Sequence, residues 1–388
     1  MRVAHFCDSE PGRVDGVSTS AGLSVALLRA AGHQVSHYYP GPLSRAGMRS
    51  VAVPFRRIRV AVPWARADPD VDVVHVHTTG PVGMAGFRLA GARGLPLVLT
   101  WHTDLLAYAD YFPEIPLGAA YCAARLRLGW TVRDHLELAD RNGRRRARLL
   151  VLGRAMLART SLVIAPSEKT AAGLAEFGDL PPVWTVPTPV VLPAGAATRG
   201  ELRAALGLPT DVPVVLSVGR VTREKNPLLL LRGFATLRAA RPYARLVILG
   251  VRQDRRAVRA RIRALGLAGS VRLVPPVPRD RVVDYYRMAD VLAFASTTDT
   301  QSLVVAEAEA AGLPVVSADA ALARRPGAAE PSRVTCDATP DALAEALLRM
   351  LDDGELRERT RQAGLDAAGR YPPERYLSLL TAAYARAG

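Results

Sequence analysis

Short apolar runs of strand type alternate with longer helical patterns along all 388 residues, and nothing else in the chain constrains its fold as strongly. Such alternation is the mark of parallel sheets covered by helices. In the first half the strand-like runs are RVAHFCDS, QVSHYYP, VDVVHVHT, PLVLTWHT, SLVIAPS and VWTVPT. Helical patterns such as STSAGLSVALLRAAGH and PVGMAGFRLAGARG separate them, and the stretch 105–160 is a longer, mostly helical insertion suited to shaping a binding cleft. Near 187 the Pro-, Gly- and Ala-rich PTPVVLPAGAATRG reads as a linker. The alternation then restarts with PVVLSVGR, ARLVILG, SVRLVPPV, VLAFAS, PVVSAD and SRVTC. The expectation is two doubly wound α/β domains, 1–192 and 193–370, with a helix at 371–388 returning to the first. Sheets of this kind bind ligands at the carboxyl ends of their strands, so facing domains would share one cleft.

A composition 49% hydrophobic supports two cores of this size. No run reaches the ~18 apolar residues of a membrane span, and the N-terminus reads as a strand rather than a leader, so a cytoplasmic protein is expected. Cys7, Cys122 and Cys336 are too few and too scattered for a disulfide framework or metal cluster. The net charge of +15 is spread over both halves, 22 basic against 15 acidic residues in 1–193 and 29 against 21 in 194–388. With no aromatic-interleaved basic strand, nucleic acid is not an expected partner. The densest basic run, RNGRRRARLL at 141–150, reads as a solvated helix face rather than a membrane or acceptor patch.

Chemistry concentrates in a few places. In STTDTQSLVVAEAEAAGLPVV, residues 296–316, helical spacing places Glu307 between Leu303 and Val304 on an apolar face, with Glu309 elsewhere beside Val305. A carboxylate there needs donors, either an Arg partner or a ligand. Ahead of it Thr298, Thr300 and Ser302 are capping residues, so the amides of Gln301, Ser302 and Leu303 would open a helix N-terminus to an anion. SVGRVTREKNP sets Arg220 and Lys225 five apart around a strand-to-helix turn, and Lys225 is one of only two lysines in the chain. A compact cation in so Arg-rich a sequence suggests a phosphate. The loop SEPGRVDGVSTS lets Gly16 bring a phosphate close to a helix N-terminus, though a plain turn is the commoner meaning of such a glycine. His75 and His77 share a strand face, and His102 and Asp104 end the next strand; a zinc site lacks convincing further ligands. Together these groups can hold a diphosphate without metal, with Glu307 accepting from a vicinal diol such as ribose and Asp299 from hydroxyls of an attached sugar.

At these residues the chain resembles the retaining glycosyltransferases of family 4, which have the two-domain GT-B fold. The resemblance spans the chain through Asp15-Gly16-Val17, Asp72 to His77, His102-Thr103-Asp104, Pro166 to Glu168, Gly219 to Lys225, and the acidic pair Asp299/Glu307 followed by GLPVV. It implies transfer of a sugar from a nucleotide diphosphate, a UDP-sugar by preference, to an acceptor hydroxyl with retention and no essential metal or cofactor. By the same resemblance Arg220 and Lys225 neutralise the leaving diphosphate, Glu307 binds ribose, and Asp299 with the Gln301, Ser302 and Leu303 amides holds sugar and phosphate. His102 lies beside the transferred sugar, Gly16 near the phosphate and Val277 near the base, while His77 and Asp104 are acceptor-side candidates. Two positions depart: Asp299 stands where Glu is usual, and Ser302 where the TDTQ branch, which includes glucosyl-diacylglycerol synthases, commonly has Gly. The expected acceptor is a small hydrophilic molecule such as a natural-product intermediate. A lipid headgroup with peripheral membrane association is the alternative, and a sugar-nucleotide epimerase or silent sugar-nucleotide binder are readings of another class.

Overall fold

A computed structural model describes residues 1–13, 15–41, 47–53, 58–62, 70–141, 143–252, 255–323 and 331–388. The chain divides into two units, one formed by Met1–Thr188 with Pro373–Gly388 and the other by Pro189–Pro372.

Among the described residues nine strands belong to the first unit: β1 (Arg2–Phe6), β2 (Gln34–Pro40), β3 (Gly47–Met48), β4 (Ser50–Val53), β5 (Ile58–Ala61), β6 (Val73–Val76), β7 (Leu97–Thr100), β8 (Leu162–Ala165) and β9 (Val183–Thr185). Seven of them form a parallel sheet in the order β3-β2-β1-β6-β7-β8-β9, while β4 and β5 pair as a separate antiparallel hairpin. The central strands β6, β7 and β8 are buried at every residue, as parallel strands covered on both faces must be. The Gly16–Ala30 helix follows β1, and its Asp15 cap accepts from the Ser18 amide at 2.8 Å. On the Pro373–Ala387 helix, Tyr376, Leu380, Ala383 and Tyr384 form one apolar stripe, packed with Val3, Leu28, Val73 and Val98.

The described residues of the insertion form the helices Leu105–Tyr108, Glu114–Arg125, Val132–Glu137 and Arg144–Leu157. Its basic run is not simply a solvated face. Arg145 is buried and donates to the carbonyls of Leu138, Ala109 and Ala139, while Arg148 bridges Asp134 and Glu137. Helix packing has turned two of those arginines into internal ties.

The second unit contains β10 (Val214–Val218), β11 (Arg245–Leu249), β12 (Val271–Val274), β13 (Val291–Phe294), β14 (Val315–Ser317) and β15 (Val334–Thr335), all parallel in the order β12-β11-β10-β13-β14-β15. The order reverses between β10 and β13. At such a switch point the loops leaving the two strands diverge to opposite faces and open a crevice at their carboxyl ends. The residues around that crevice include Gly219, Arg220, Lys225, Phe294 and Ser296.

Candidate functional site

The β10 exit is shaped by glycine. Gly219 has φ +138°, and Gly250 at the end of β11 has φ +105°, where a Cβ would stand 2.6 Å from the Gly219 carbonyl oxygen. Two backbones therefore touch at the base of the Arg220 turn, an approach only glycine permits. The chain then makes a short turn at Arg223–Lys225 and enters the Pro227–Ala240 helix through Asn226, whose φ of +50° lies in the left-handed region that Asn tolerates. Ser296, just past β13, donates to the Glu224 carbonyl at 3.1 Å and so fastens this turn to the neighbouring strand exit.

That fastening brings Lys225 against Asp299, with Nζ 2.5 Å from Oδ1. The other carboxylate oxygen, Asp299 Oδ2, is buried with no hydrogen-bond partner among the described residues. Arg220 is half-exposed and lies 3.3 Å from the buried Glu224 carboxylate, which also accepts from the Thr222 hydroxyl at 2.5 Å. Glu224 and Tyr286, which no sequence motif marks, hold Arg220 and Glu307 in place. Tyr286, buried on the Arg279–Met288 helix, donates to Glu307 Oε2 at 2.8 Å, and Arg279 stands 3.7 Å from Oε1. Burial raises the Glu307 pKa, while the Tyr286 hydrogen bond and the Arg279 charge oppose that rise. Proximity to this carboxylate and burial together push the Tyr286 phenol well above its ordinary range, burial being the larger cause.

The two acids of the Leu303–Ala310 helix differ from expectation. Leu303, Val304 and Glu307 are only partly buried, and the Glu307 side chain keeps 17% of its exposure. Glu309, expected to fall outside the core-facing stripe, is 1% exposed and salt-bridged to Arg333 at 2.8 Å, with Ser332 donating to the same oxygen. The helix buries the Val305/Ala308/Glu309 side, so the internal Glu–Arg pair exists at Glu309 and the rim acid is Glu307. Ser302 caps this helix with φ +59°, accepting weakly from the Val305 amide at 3.5 Å. Gln301 precedes the cap, Leu303 is the first helical residue, and Val277 packs between β12 and the Arg279–Met288 helix, against the second unit's core.

In the first unit, Gly16 opens its helix exposed, with no acidic residue in the first turn. Asp104 Oδ1 caps the Leu105–Tyr108 turn, accepting from the Leu106 and Ala107 amides at 3.0 Å each. At the β1 exit, Asp8 accepts from Val82 N at 2.8 Å and from the Thr78 hydroxyl at 2.6 Å; burial raises its pKa. His77 is buried, and its Nδ1 lies 3.2 Å from Nε2 of the half-buried His102. A third histidine stands beside His75 and His77 after all: β1 pairs with β6 in the register His5↔His75, and nitrogens of His5, His75 and His77 lie within 4.8 Å of one another. His5 Nδ1 and His77 Nε2 are 2.9 Å apart, a hydrogen-bond distance. Ligands of a tetrahedral zinc with ~2.05 Å bonds stand about 3.3 Å apart.

Two family models match the chain, Glycosyltransferase Family 4 over residues 14–192 and Glycosyl transferases group 1 over residues 198–366. D-inositol 3-phosphate glycosyltransferase of Xylanimonas cellulosilytica is 31% identical over 83% of this chain and 73% of its own, and that of Thermobifida fusca 30% identical over 89% and 76%. The chain belongs to glycosyltransferase family 4. Among solved structures, this glycosyltransferase is similar to sucrose-phosphate synthase of Thermosynechococcus elongatus, with TM-score 0.72, 19% identity and coverage of 100% and 98% of the two chains. It is also similar to Anabaena HepE in complex with UDP and glucose, with TM-score 0.70, 16% identity and 99% of each chain. These likenesses place both units of the glycosyltransferase in the GT-B fold class, each Rossmann-like.

Proposed function

We propose that the protein transfers a sugar, with retention at the anomeric carbon, from a UDP-sugar to a hydroxyl of a small, soluble acceptor. The observation that carries this reading is the orphaned Asp299 Oδ2 beside the Lys225 ammonium at the β10/β13 switch point. A buried carboxylate oxygen left unpaired costs about 1–3 kcal/mol, which a sugar hydroxyl donating to it would recover. Lys225 has three donors, of which Asp299 takes one, so its charge serves a diphosphate as well. With Arg220, half-exposed on the same turn, it stabilises the charge that grows on the departing diphosphate. The Gln301, Ser302 and Leu303 amides add partial positive charge at a helix N-terminus. Glu307, held at the rim by Tyr286, accepts from ribose hydroxyls, and Val277 contacts the base. From the first unit, Gly16 serves the phosphate and His102 the transferred sugar, with His77 behind it.

The relatives' names support a phosphorylated polyol as the first acceptor to test, and the UDP complexes of HepE support the donor. Among the described residues no helix is long and apolar enough to cross a membrane. Lipid-headgroup transfer at a membrane surface is the competing acceptor reading, favoured by the TDTQ segment. Calorimetric titration with UDP and UDP-glucose, followed by mass spectrometry of products with inositol phosphate or diacylglycerol vesicles, tests the assignment. UDP affinity lost in Lys225→Ala and Glu307→Ala is expected; wild-type affinity in both would refute the donor site.

A further inference from the structure

Five hydrogen bonds run end to end through the core of the first unit. Thr100 Oγ1 lies 2.7 Å from His75 Nε2, and His75 Nδ1 lies 2.8 Å from the Tyr384 hydroxyl. That hydroxyl is 3.1 Å from His5 Nε2, His5 Nδ1 is 2.9 Å from His77 Nε2, and His77 Nδ1 is 3.2 Å from His102 Nε2. His5 and His75 are fully buried, Tyr384 is 1% exposed and His77 2%. Charging any of these rings would desolvate an imidazolium, and burial accordingly lowers all four histidines, His75 to about 3 and His102 to about 4. All four are neutral at pH 7, and a neutral imidazole has one N–H and one acceptor nitrogen.

A chain of this kind has only two complete proton arrangements. If His77 Nδ1 donates to His102, then His77 Nε2 must accept from His5 Nδ1, His5 Nε2 from Tyr384, Tyr384 from His75 Nδ1, and His75 Nε2 from Thr100. The other arrangement reverses every link. In the first, all four rings bear their proton on Nδ1; in the second, all four bear it on Nε2. Any mixture either leaves a link with two protons or none, or makes the Tyr384 oxygen accept from both His5 and His75 and strands its own proton, each at the cost of a buried unsatisfied group.

We infer that this chain is a positioning device that locks the tautomer and ring orientation of His102 to those of three buried histidines, with Tyr384 of the Pro373–Ala387 helix as its central link. The functional part rests on the reading of His102 beside the transferred sugar: the locked tautomer decides whether His102 Nδ1, the ring nitrogen outside the chain, is a donor or an acceptor. Tyr384 is a positioning residue, acting through His5 and His77.

The test is long-range ¹H–¹⁵N correlation of imidazole-labelled full-length protein at pH 7, assigned with single-histidine variants. His5, His75, His77 and His102 are expected to show one common tautomer. A mixed set, a charged ring among the four, or stoichiometric zinc on the purified protein would overturn the inference. In Tyr384→Phe, kcat should fall about tenfold with the donor KM held within about twofold, the pattern of a lost positioning hydrogen bond. Tyr376→Phe, which removes a buried hydroxyl of the same helix bonded to Ser24 and outside the chain, should leave kcat unchanged. Equal losses in both variants would mark the effect as general loosening and refute positioning. If His102→Ala turns over normally, the site reading fails while the common tautomer stands on the spectra.

Discussion

Glu307 and Ser302 sit in conformations or surroundings that cost stability. The Glu307 pKa is raised by burial above its ordinary value of 4.5, so its contribution to stability is present below that pH and is lost as pH rises through the folded-state pKa. Glu307→Gln is therefore expected to stabilise the unliganded protein at pH 7 but not at pH 4, while abolishing UDP binding; chemical denaturation at both pH values and calorimetric titration read the two effects. Ser302 occupies φ +59°, and its side chain makes a long capping hydrogen bond of 3.5 Å. Ser302→Gly loses little as a cap and relieves the left-handed strain, so a gain of about 0.5–1 kcal/mol in denaturant unfolding is expected, against a loss in Ser302→Ala. The motif residues themselves were legible because cations and carboxylates beside strand ends are rare and conspicuous. Which acid of the 303–310 helix faces the core was not. Eight residues make only about two turns, and the side that is buried is set by Arg333, far along the chain, which no periodicity reveals.

Among elements, every strand of the two parallel sheets except the two-residue β3 could be read from apolar runs. The pairing of β4 with β5 has no strong sequence signal, since each strand has only four residues and Val51, Ala52, Arg59 and Val60 are exposed. Strand order was equally hidden: the neighbour relation of β1 and β6 that joins His5 to His75 depends on crossover topology, and the pattern of each strand is silent about it. The β10 turn owes its form to the contact between Gly219 and Gly250. Gly250→Ala is expected to cost about 2 kcal/mol or more in thermal or denaturant unfolding and to weaken UDP binding through displacement of Arg220. Wild-type stability in that variant would show that the two backbones part easily.

For the whole molecule, the desolvated imidazoles are expected to set the acid limit. His5, His37, His75, His77 and His102 all have pKa values lowered by burial from 6.5, His37 to about 4. Depressed histidines contribute stability that is present above 6.5 and lost as pH falls toward their folded values. Each adds about 1.4 kcal/mol of lost stability per pH unit in that window. The melting temperature should therefore drop steeply between pH 6.5 and 4, with proton uptake on unfolding measurable by calorimetry in buffers of different ionisation enthalpy.

The sheet that begins with β1 is completed by the Pro373–Ala387 helix, whose Tyr376, Leu380 and Tyr384 pack on Val3, Val73 and Val98. On the ribosome those two segments emerge about 370 residues apart, roughly 20–75 s at ordinary elongation rates. The unit made first thus matures second. Its apolar sheet face waits uncovered while the unit in between folds, and molecular chaperones have that interval in which to engage it.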